Sequence, residues 1–501
     1  MSIFHSTISR RDFMKAMGFT GAGLGAAALV APAFHDLDEL ASQPGPQFKK
    51  AWWVKERDFE NPTEDMDWGI MKRFNDRKQA QSTGTLAQYP SYNTDLQGRT
   101  DRGNALSAKR LTDQAAGYSH KFRALNNGKS DRATYPTWDY TGTFSTAKDY
   151  GNSNTALNLP KWTGSKEEAF NMFYSAMRYY GYTWLGVAEL TDKWQNKLIS
   201  QYSTTGTNSL YSFENVAAPA IAADPTGVSK EKWVIPMAKP VMGVAFSEAL
   251  SPEARRCPSA ISNGNNVIAN KTTFLRNRMA GFLVSLGYNL FGNTGDQSMP
   301  IHTGIAGPMM GYAETSRQNN YTMTPENGPH HNDFTMFTDF PMAPTKPIDA
   351  GIFRFCAGCA TCAKTCLGEA ISFDKQPSFE IPATDGLATT YHNPGPKHFW
   401  SNWVKCNNIR QECGGDCAPE KGGRMCWITC PMGNDKGAMI HQLVRATVSN
   451  TTIFNSFFAT MEEKMGYGPY EPDLWWDMSL PVYGQDTTIG SNKGGYSHGK
   501  M

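Results

Sequence analysis

The stretch "FCAGCATCAKTCLGEA" at residues 355–370 places four of the ten cysteines of the chain close together. Their spacing is C-x2-C-x2-C-x3-C, and its members are Cys356, Cys359, Cys362 and Cys366. Bacterial ferredoxins use such a run of thiolates to hold iron–sulfur clusters. The stretch therefore predicts a ferredoxin-like end to a chain that is much longer than a ferredoxin requires.

A second set of cysteines lies downstream and is spaced less regularly. Its members are Cys406, Cys413, Cys417, Cys426 and Cys430. In two-cluster ferredoxins the last cysteine of each run binds the cluster of the other run. This exchange rule assigns one [4Fe–4S] cluster to Cys356, Cys359, Cys362 and Cys430.

The second cluster receives Cys366 and Cys426 by the same rule and needs two further ligands. Three cysteines compete for these two places. We favour Cys406 and Cys417, with Cys413 as the alternative, because the insertion that follows Cys417 can loop out before Cys426.

Other uses of the thiols remain as alternatives. A zinc ion needs only four thiolates, typically in paired knuckles. Disulfides between such close neighbours would be strained. The spacing favours two clusters, and a zinc site or a single cluster stays open. Cys257 stands apart from both runs, and we interpret it as a buried structural thiol.

The composition is that of an ordinary globular protein, with 501 residues, 40% hydrophobic and 19% charged. This length allows two to three domains. The net charge of +2 is accounted for by Arg10, Arg11 and Lys15 against Asp12 near the N-terminus. The remainder is neutral and has no basic run, so we do not expect nucleic acid as a partner.

The sequence "SRRDFMK" at Ser9–Lys15 has the twin-arginine signature of a Tat signal peptide. A stretch rich in Gly and Ala and an "APA" follow, which predicts cleavage after about Ala33. Because the Tat pathway exports folded proteins, cofactors can be loaded before export, and thiolate ligands remain possible. No run of about 18 apolar residues follows the leader. We therefore expect no membrane span in the mature chain.

The pattern beyond the signal peptide at residues 1–33 predicts four regions. Residues 34–159 indicate an arm followed by long loops, since much of this stretch is polar and without periodicity. Residues 160–345 indicate an α/β core. Residues 346–445 form the cysteine-rich domain, and residues 446–501 are expected to pack on the core.

Helices alternate with strands in the predicted core. Ser165 and Glu168 form a capping box before an amphipathic helix, and "TWLGVAEL" follows as a buried strand. A second helix at residues 271–290 repeats this pattern. The stretch "KWVIPMAKPVMGVAF" between the helices predicts a strand. Its prolines, Pro236 and Pro240, predict an edge position or an irregular path.

The leader, the α/β middle, "FTDFPMAPTKPIDAGIFRFC" and the tail "MEEKMGYGPYEPDLWW" together resemble the reductive dehalogenases of organohalide-respiring bacteria. The resemblance covers nearly the whole chain. It implies a fold of the α+β or α/β class, with a nitroreductase-like corrinoid-binding core and a C-terminal ferredoxin-like module that holds two [4Fe–4S] clusters. The residues that precede the cysteines would then build the corrinoid pocket.

The resemblance implies a terminal reductase of organohalide respiration, which replaces a carbon–halogen bond with a carbon–hydrogen bond. Its cobalamin would be base-off, and the sequence has no D-x-H-x-x-G motif to supply a histidine to cobalt. The implied partners are a small organohalide, membrane electron donors and a small integral-membrane anchor protein. The enzyme would lie on the outer face of the cytoplasmic membrane.

Two other functions are weighed against this one. A Tat-exported electron-transfer subunit with two clusters and no corrinoid explains the cysteines but leaves residues 160–345 without a task. A corrinoid reductase of the tRNA-modifying type shares the core plan, but it works in the cytoplasm. The Tat leader and the absence of a basic run argue against the second of these.

The sequence departs from the family where proton delivery is expected. The family's Tyr and its Arg or Lys fall on Ala269 and Asn332, while its Asn corresponds to Asn293. We expect His330 and His331 to take the catalytic role, because a histidine with a pKa near neutrality supplies protons readily. A solvated loop is the alternative for this pair. Further donors in this part of the sequence are Tyr312, Tyr321 and Lys271.

Two residues between the cysteine runs are predicted to border the corrinoid. They are His392 and Trp400. A structural role within a loop is the alternative for both. No motif indicates which organohalide is the substrate, because the shape of the pocket depends on loops.

Overall fold

The structure is a computed structural model with side chains. It describes residues 50–80, 82–119, 160–202, 209–229, 231–250, 256–258, 275–276, 278–292, 299–319, 321–417, 425–433, 439–464 and 468–477. The predicted signal peptide lies outside the described residues. The domain boundaries predicted above likewise stay predictions.

The strands and helices are numbered in chain order. The strands are β1 (Lys55–Glu56), β2 (Trp184–Glu189), β3 (Leu210–Glu214), β4 (Ala220–Ala223), β5 (Glu231–Pro236), β6 (Met242–Ala249), β7 (Leu290–Phe291), β8 (His331–Thr338) and β9 (Ile348–Asp349). The helices are α1 (Thr83–Leu86), α2 (Pro90–Asn93), α3 (Leu96–Thr112), α4 (Lys166–Tyr179), α5 (Thr303–Met310), α6 (Ile352–Cys359), α7 (Thr361–Lys364), α8 (Trp403–Glu412), α9 (Met425–Ile428), α10 (Met439–Asn450) and α11 (Asn455–Lys464).

A four-stranded sheet in the order β2, β6, β8, β7 lies at the centre, and all of its neighbours pair antiparallel. Because successive side chains point to opposite faces, the sheet separates two apolar cores. One core contains Ala245 and Phe337, and the other contains Phe246 and Phe334. The antiparallel pairing makes this region α+β, which is one of the two expected classes.

A separate three-stranded sheet contains β5 between β3 and β4. Of the two alternatives for the stretch around the prolines, the edge position was wrong, because β5 and β6 are each central in their own sheet. The irregular path is confirmed, because a connection at residues 237–241 interrupts the strand. Pro236 is the last residue of β5 and Pro240 lies in the connection, so neither proline interrupts the interior of a strand.

The predicted capping box at the start of α4 is confirmed. Ser165 Oγ accepts the N–H of Glu168 at 3.1 Å, and Glu168 Oε2 accepts the N–H of Ser165 at 2.8 Å. The helix buries Phe173 and Met177 against the central sheet. Residues 278–285 are helical and β7 follows them, so the second predicted helix is confirmed where it is described.

Helix α3 lies in a region predicted as loops, and that prediction was wrong for its 17 residues. The helix is polar on most of its surface, so no apolar period indicated it. It packs on α8 at Gly103, where a Cβ would lie 2.0 Å from the carbonyl oxygen of Gln411. Arg99 and Arg110 are buried at the same contact. The contact with α8, rather than the local pattern, stabilises this helix.

The cysteine-bearing segments form the short helices α6 to α9. A third apolar core joins α6 to α10 and α11 through Phe355, Val448 and Phe458. Strand β1 pairs with β9 directly before α6, which joins the N-terminal arm to this part of the chain. Among the described residues, no helix is long and apolar enough to span a bilayer.

Candidate functional site

One cavity is lined by four cysteines. The four are Cys356, Cys359, Cys362 and Cys430. This is the set that the exchange rule assigns to one cluster. The cavity therefore unites three neighbours in sequence with a ligand from the second run.

The helix that carries Cys356 and Cys359 is held at its N-terminus by a buried carboxylate. Glu314 Oε2 accepts the backbone N–H groups of Ala350 and Ile352, each at 3.0 Å. Burial raises the pKa of Glu314 to about 7, so this side chain is only partly ionised near neutral pH, and its oxygen pairs with N–H groups at the start of the helix in either state. The contact fixes the direction in which α6 presents its thiols.

Burial raises the pKa of Cys356 to about 12 and that of Cys362 well above its usual value. Negative charge on Cys356 and Cys430 raises the pKa of Cys362 further. Cys430 is buried and the other three thiols are half-buried, and four thiols this close together do not all ionise unless positive charge lies among them. The arrangement is therefore suited to a metal group with four thiolate ligands.

In the part of the chain that the structure describes, no three His, Cys, Asp or Glu side chains converge as they do around a single metal ion. Each thiolate of a [4Fe–4S] cluster binds a different iron, so its ligands stand farther apart. The shared cavity, rather than such a convergence, is the relevant test for a cluster.

Two cysteines of the predicted second cluster are brought near each other by a backbone contact. The N–H of Asn402 donates to the carbonyl of Ala370 at 2.7 Å, and the N–H of Ala370 donates to Cys366 Sγ at 3.3 Å. Asn402 caps α8 through Lys405, so Cys406 lies in the first turn beyond this contact. The structure thus places Cys366 beside the helix that carries Cys406.

Cys413 is fully buried where α8 ends and packs towards α3. Arg110 donates to the Cys413 carbonyl at 3.3 Å and to Asp416 at 3.3 Å. Burial raises the pKa of Cys413 to about 11, and the charges that act on it belong to Arg110, Asp416 and Glu412. The choice of Cys406 and Cys417 over Cys413 as ligands stays a prediction.

His330 and His331 are both buried, so the solvated-loop alternative is wrong. His331 begins β8, with Nδ1 at 3.3 Å from Ser247 Oγ and Nε2 at 2.9 Å from the Thr322 carbonyl. His330 packs on Gly433, where a Cβ would lie 2.2 Å from His330 Nε2. The pairing of β8 with β6 causes this burial. The catalytic role of the two histidines stays a prediction.

A buried pair beside His331 was not predicted as a pair. The hydroxyl of Tyr312 donates to Asp333 Oδ2 at 2.5 Å. Burial raises the pKa of Asp333 to about 6 and the pKa of Tyr312 well above its usual value. The alternation of side chains along β8 puts Asp333 on the same face as His331. This alternation is the sequence signal that could have placed Asp333 beside the histidine.

Tyr321 connects this polar group to the cysteine-bearing part. Its hydroxyl donates to the His331 carbonyl at 2.6 Å. Its ring centroid lies 5.4 Å from that of His331 and 4.7 Å from that of Trp427. Trp427 follows Cys426 directly, and Gln318 donates to the Cys426 carbonyl at 2.6 Å. The rings of Trp427, Tyr321 and His331 therefore connect the second cysteine run to the central sheet.

Of the other residues expected near the site of proton delivery, the structure describes Asn332. Asn332 is half-buried on β8 and faces Glu248 of β6 in the ladder. Ala269, Lys271 and Asn293 lie outside the described residues. Their predicted correspondence with the family stays a prediction.

His392 and Trp400 pack on each other, with ring centroids 4.9 Å apart. His392 Nε2 donates to the Ser401 carbonyl at 2.7 Å, and Trp400 Nε1 donates to the Ser378 carbonyl at 2.8 Å. Burial lowers the pKa of His392 to about 4. These backbone contacts are those of the structural alternative, and contact with a corrinoid stays a prediction.

The sequence matches a known protein family. A sequence profile described as "Reductive dehalogenase subunit" matches residues 49–342. The chain belongs to the reductive dehalogenase family. It is therefore an oxidoreductase that acts on halogenated compounds, and the predicted resemblance is confirmed. The matched residues precede both cysteine runs.

Curated relatives extend the similarity to the whole chain. The chloroethene reductive dehalogenase of Dehalococcoides mccartyi (strain VS) is 28% identical over an alignment of 544 positions, which covers 97% of this chain and 99% of the relative. The tetrachloroethene reductive dehalogenase of Sulfurospirillum multivorans is 33% identical over 168 residues, covering 33% of this chain and 30% of the relative.

Solved structures support the fold. One is described as "Reductive dehalogenase structure suggests a mechanism for B12-dependent dehalogenation", with a TM-score of 0.53, 15% identity, and coverage of 93% of this chain and 56% of that chain. Another is "Catabolic reductive dehalogenase NpRdhA, N-terminally tagged", with a TM-score of 0.52, 16% identity, and coverage of 84% and 50%. This chain spans about half the length of the structures it matches.

Proposed function

We propose that this reductive dehalogenase replaces a carbon–halogen bond of a small organohalide with a carbon–hydrogen bond, using a base-off corrinoid supplied by two [4Fe–4S] clusters. Its place would be that of the terminal reductase of organohalide respiration. The proposed architecture is a nitroreductase-like corrinoid-binding core joined to a ferredoxin-like module.

The cysteine-lined cavity is the observation that carries this proposal. Family membership alone does not assign ligands in this chain, but the cavity joins Cys430 to three cysteines of the first run. Such exchange of a ligand between two runs is the wiring of two-cluster ferredoxins. The proposal therefore assigns the second cluster to Cys366, Cys406, Cys417 and Cys426.

Support for the corrinoid comes from similar proteins and from the long stretch of the chain that holds no cluster ligand. The description of one similar structure names B12-dependent dehalogenation. Another is described in complex with 3-bromo-4-hydroxybenzoic acid. The family profile covers residues 49–342, which a plain electron-transfer subunit would not need.

Within this proposal, the bound cofactors would supply low-potential electrons and the reductive chemistry that a carbon–halogen bond requires. The residues of the chain position these groups and control protons and water. The two apolar cores exclude water from both faces of the central sheet. Asp333 and Tyr312 hold a proton between them at the buried end of β8. His331 lies beside that pair and is the proposed donor.

The proposal extends to export and membrane attachment. The sequence of the leader supports transport by the Tat pathway. A small integral-membrane anchor protein and membrane electron donors would then hold and supply the enzyme on the outer face of the cytoplasmic membrane.

The deciding experiment is the metal content of the protein expressed with cobalamin and purified without oxygen. We expect about eight irons and about one cobalt per chain. Eight irons without cobalt in folded protein would contradict the corrinoid enzyme and support the electron-transfer subunit. Stoichiometric zinc with little iron would overturn the cluster assignment.

A further inference from the structure

A buried cation borders the cysteine-lined cavity. The side chain of Arg317 is 1% exposed, and it forms part of the cavity wall together with Cys356, Cys359, Cys362 and Cys430. Its guanidinium stacks on the ring of Phe399, with the guanidinium carbon 4.1 Å from the ring centroid.

The hydrogen bonds of Arg317 go to neutral backbone carbonyls. Nε donates to Cys356 at 2.9 Å and Nη2 donates to Ala357 at 3.2 Å. Nη1 donates to Ser372 at 2.8 Å and to Asp374 at 2.7 Å. Arg317 thus ties the first turn of the cysteine run to the segment that follows the run.

These contacts satisfy four of the five N–H donors of the guanidinium but leave its charge without a carboxylate. Among the ion pairs of the described residues, none includes Arg317. A buried charge is costly unless an opposite charge or a metal group compensates it. The groups on the cavity side that can carry negative charge are the four thiols. The missing anion is therefore expected within the cavity itself.

We propose that Arg317 is a positioning residue that also sets the reduction potential of the cluster bound by Cys356, Cys359, Cys362 and Cys430. This inference rests on the proposed function, because it needs a [4Fe–4S] cluster in the cavity. A cluster with four thiolates is negatively charged, and reduction adds one more negative charge. Net charge and hydrogen bonding set the potentials of such clusters. The fixed cation favours the reduced form and makes reduction easier.

The chain contains a matched control for this arrangement. Arg73 also donates to three backbone carbonyls, those of Ile199, Ser200 and Tyr211. Its guanidinium carbon lies 5.3 Å from the ring centroid of Phe213. The acceptors of Arg73 belong to the core around the three-stranded sheet, whereas Arg317 borders the cysteines. Substitution of either residue removes a cation that is bonded to carbonyls and packed on an aromatic ring.

The test is a redox titration of the full-length holoprotein, monitored by electron paramagnetic resonance at one pH. We expect R317Q to lower the ratio of reduced to oxidised form of one cluster roughly tenfold at a given potential, which is about 59 mV. R317K retains the charge, so its potential should stay close to that of the wild type. R73Q should leave both clusters unchanged.

The outcomes separate charge from structure. Unchanged potentials in an R317Q protein that retains its iron would overturn the inference. A shift in R317K as large as that in R317Q would also overturn it, because the hydrogen-bond geometry would then be responsible. Loss of iron in R317Q with retention of iron and potential in R317K would support the need for charge. Loss of iron in both variants would count against it.

The same titration separates this inference from the proposed function. Wild-type protein that shows no [4Fe–4S] signals would contradict the proposed function itself. Wild-type protein with two clusters and with potentials equal to those of R317Q would contradict only the role of Arg317.

Discussion

The cysteine-lined cavity and the polar end of the central sheet are assembled in different ways. The cavity takes three of its four thiols from one short run. The polar end joins Tyr312, Asp333, His331 and Ser247, which meet because β8 pairs with β6. Spacing in the sequence therefore predicts the first site, whereas the second depends on the register of a sheet.

The two regions also differ in the charge of their side chains. The cavity gathers four groups that bind metal only as anions, and Arg317 lies against them. The polar end contains a carboxyl whose pKa is raised by burial and which accepts a hydrogen bond from a tyrosine. Removal of one group should thus abolish the function of the cavity, but it should weaken the polar end only in part.

The largest expected effect is that of Cys362→Ser. Loss of one thiolate should remove a cluster, so iron should fall from about eight to about four per chain, and dehalogenation should cease. Cys413→Ser is the matched control and should retain about eight irons. The measurement is iron per chain together with turnover. A Cys413 variant that loses a cluster while Cys417→Ser retains it would reverse the assignment of the second set.

His331→Ala should affect both turnover and stability. Loss of the ring removes contacts with Ser247 and Thr322, and we expect the free energy of unfolding to fall by about 3 kcal/mol. We also expect lower turnover for this variant and for His330→Ala, with the iron content unchanged. Phe337→Ala, on the same face of β8, controls for the loss of stability alone and should retain its turnover per folded molecule. Unchanged rates in both histidine variants would end the proposal of a histidine donor.

A buried carboxyl near the start of α6 should make stability depend on pH. Burial raises the pKa of Glu64 to about 7, and the charge of Glu314 raises it further. Because the folded state keeps this proton up to a higher pH than the unfolded state, the stabilisation is complete below about 4.5 and declines as the pH rises through about 7.

Glu64→Gln should make this decline less steep by a contribution on the order of 3 kcal/mol, while Glu314, whose pKa burial also raises to about 7, still titrates. The measurement is the melting temperature of both proteins between pH 5 and pH 8, and Glu189→Gln on the surface is the control. Equal slopes for the wild type and Glu64→Gln would show that another group determines the pH dependence.

The smallest expected effect concerns the pair at the polar end. Tyr312→Phe and Asp333→Asn each remove one partner of a buried hydrogen bond, so their effects on stability should not add. We expect a coupling energy of about 1–3 kcal/mol from a double-mutant cycle. Additive losses would mean that the two side chains act independently and that the polar end is not a connected unit.

Several features of this protein follow from local sequence. The spacing of the first cysteine run, the exchange rule that adds Cys430, and the capping box of Ser165 and Glu168 depend on residues within a few turns of each other or on a pattern shared with ferredoxins. Family membership could also be predicted, because the stretch before the cysteines and the tail are distinctive.

Other features depend on the tertiary structure. His330 and His331 have the local sequence of a polar loop and become buried only when β8 pairs with β6. Helix α3 has no apolar face and forms against α8, where Gly103 allows close approach. Arg317 appears as an ordinary cation in the sequence and acquires its role from four carbonyls and a cavity. These features depend on burial and on pairing between segments that are distant in sequence. The spacing of neighbouring residues predicts neither.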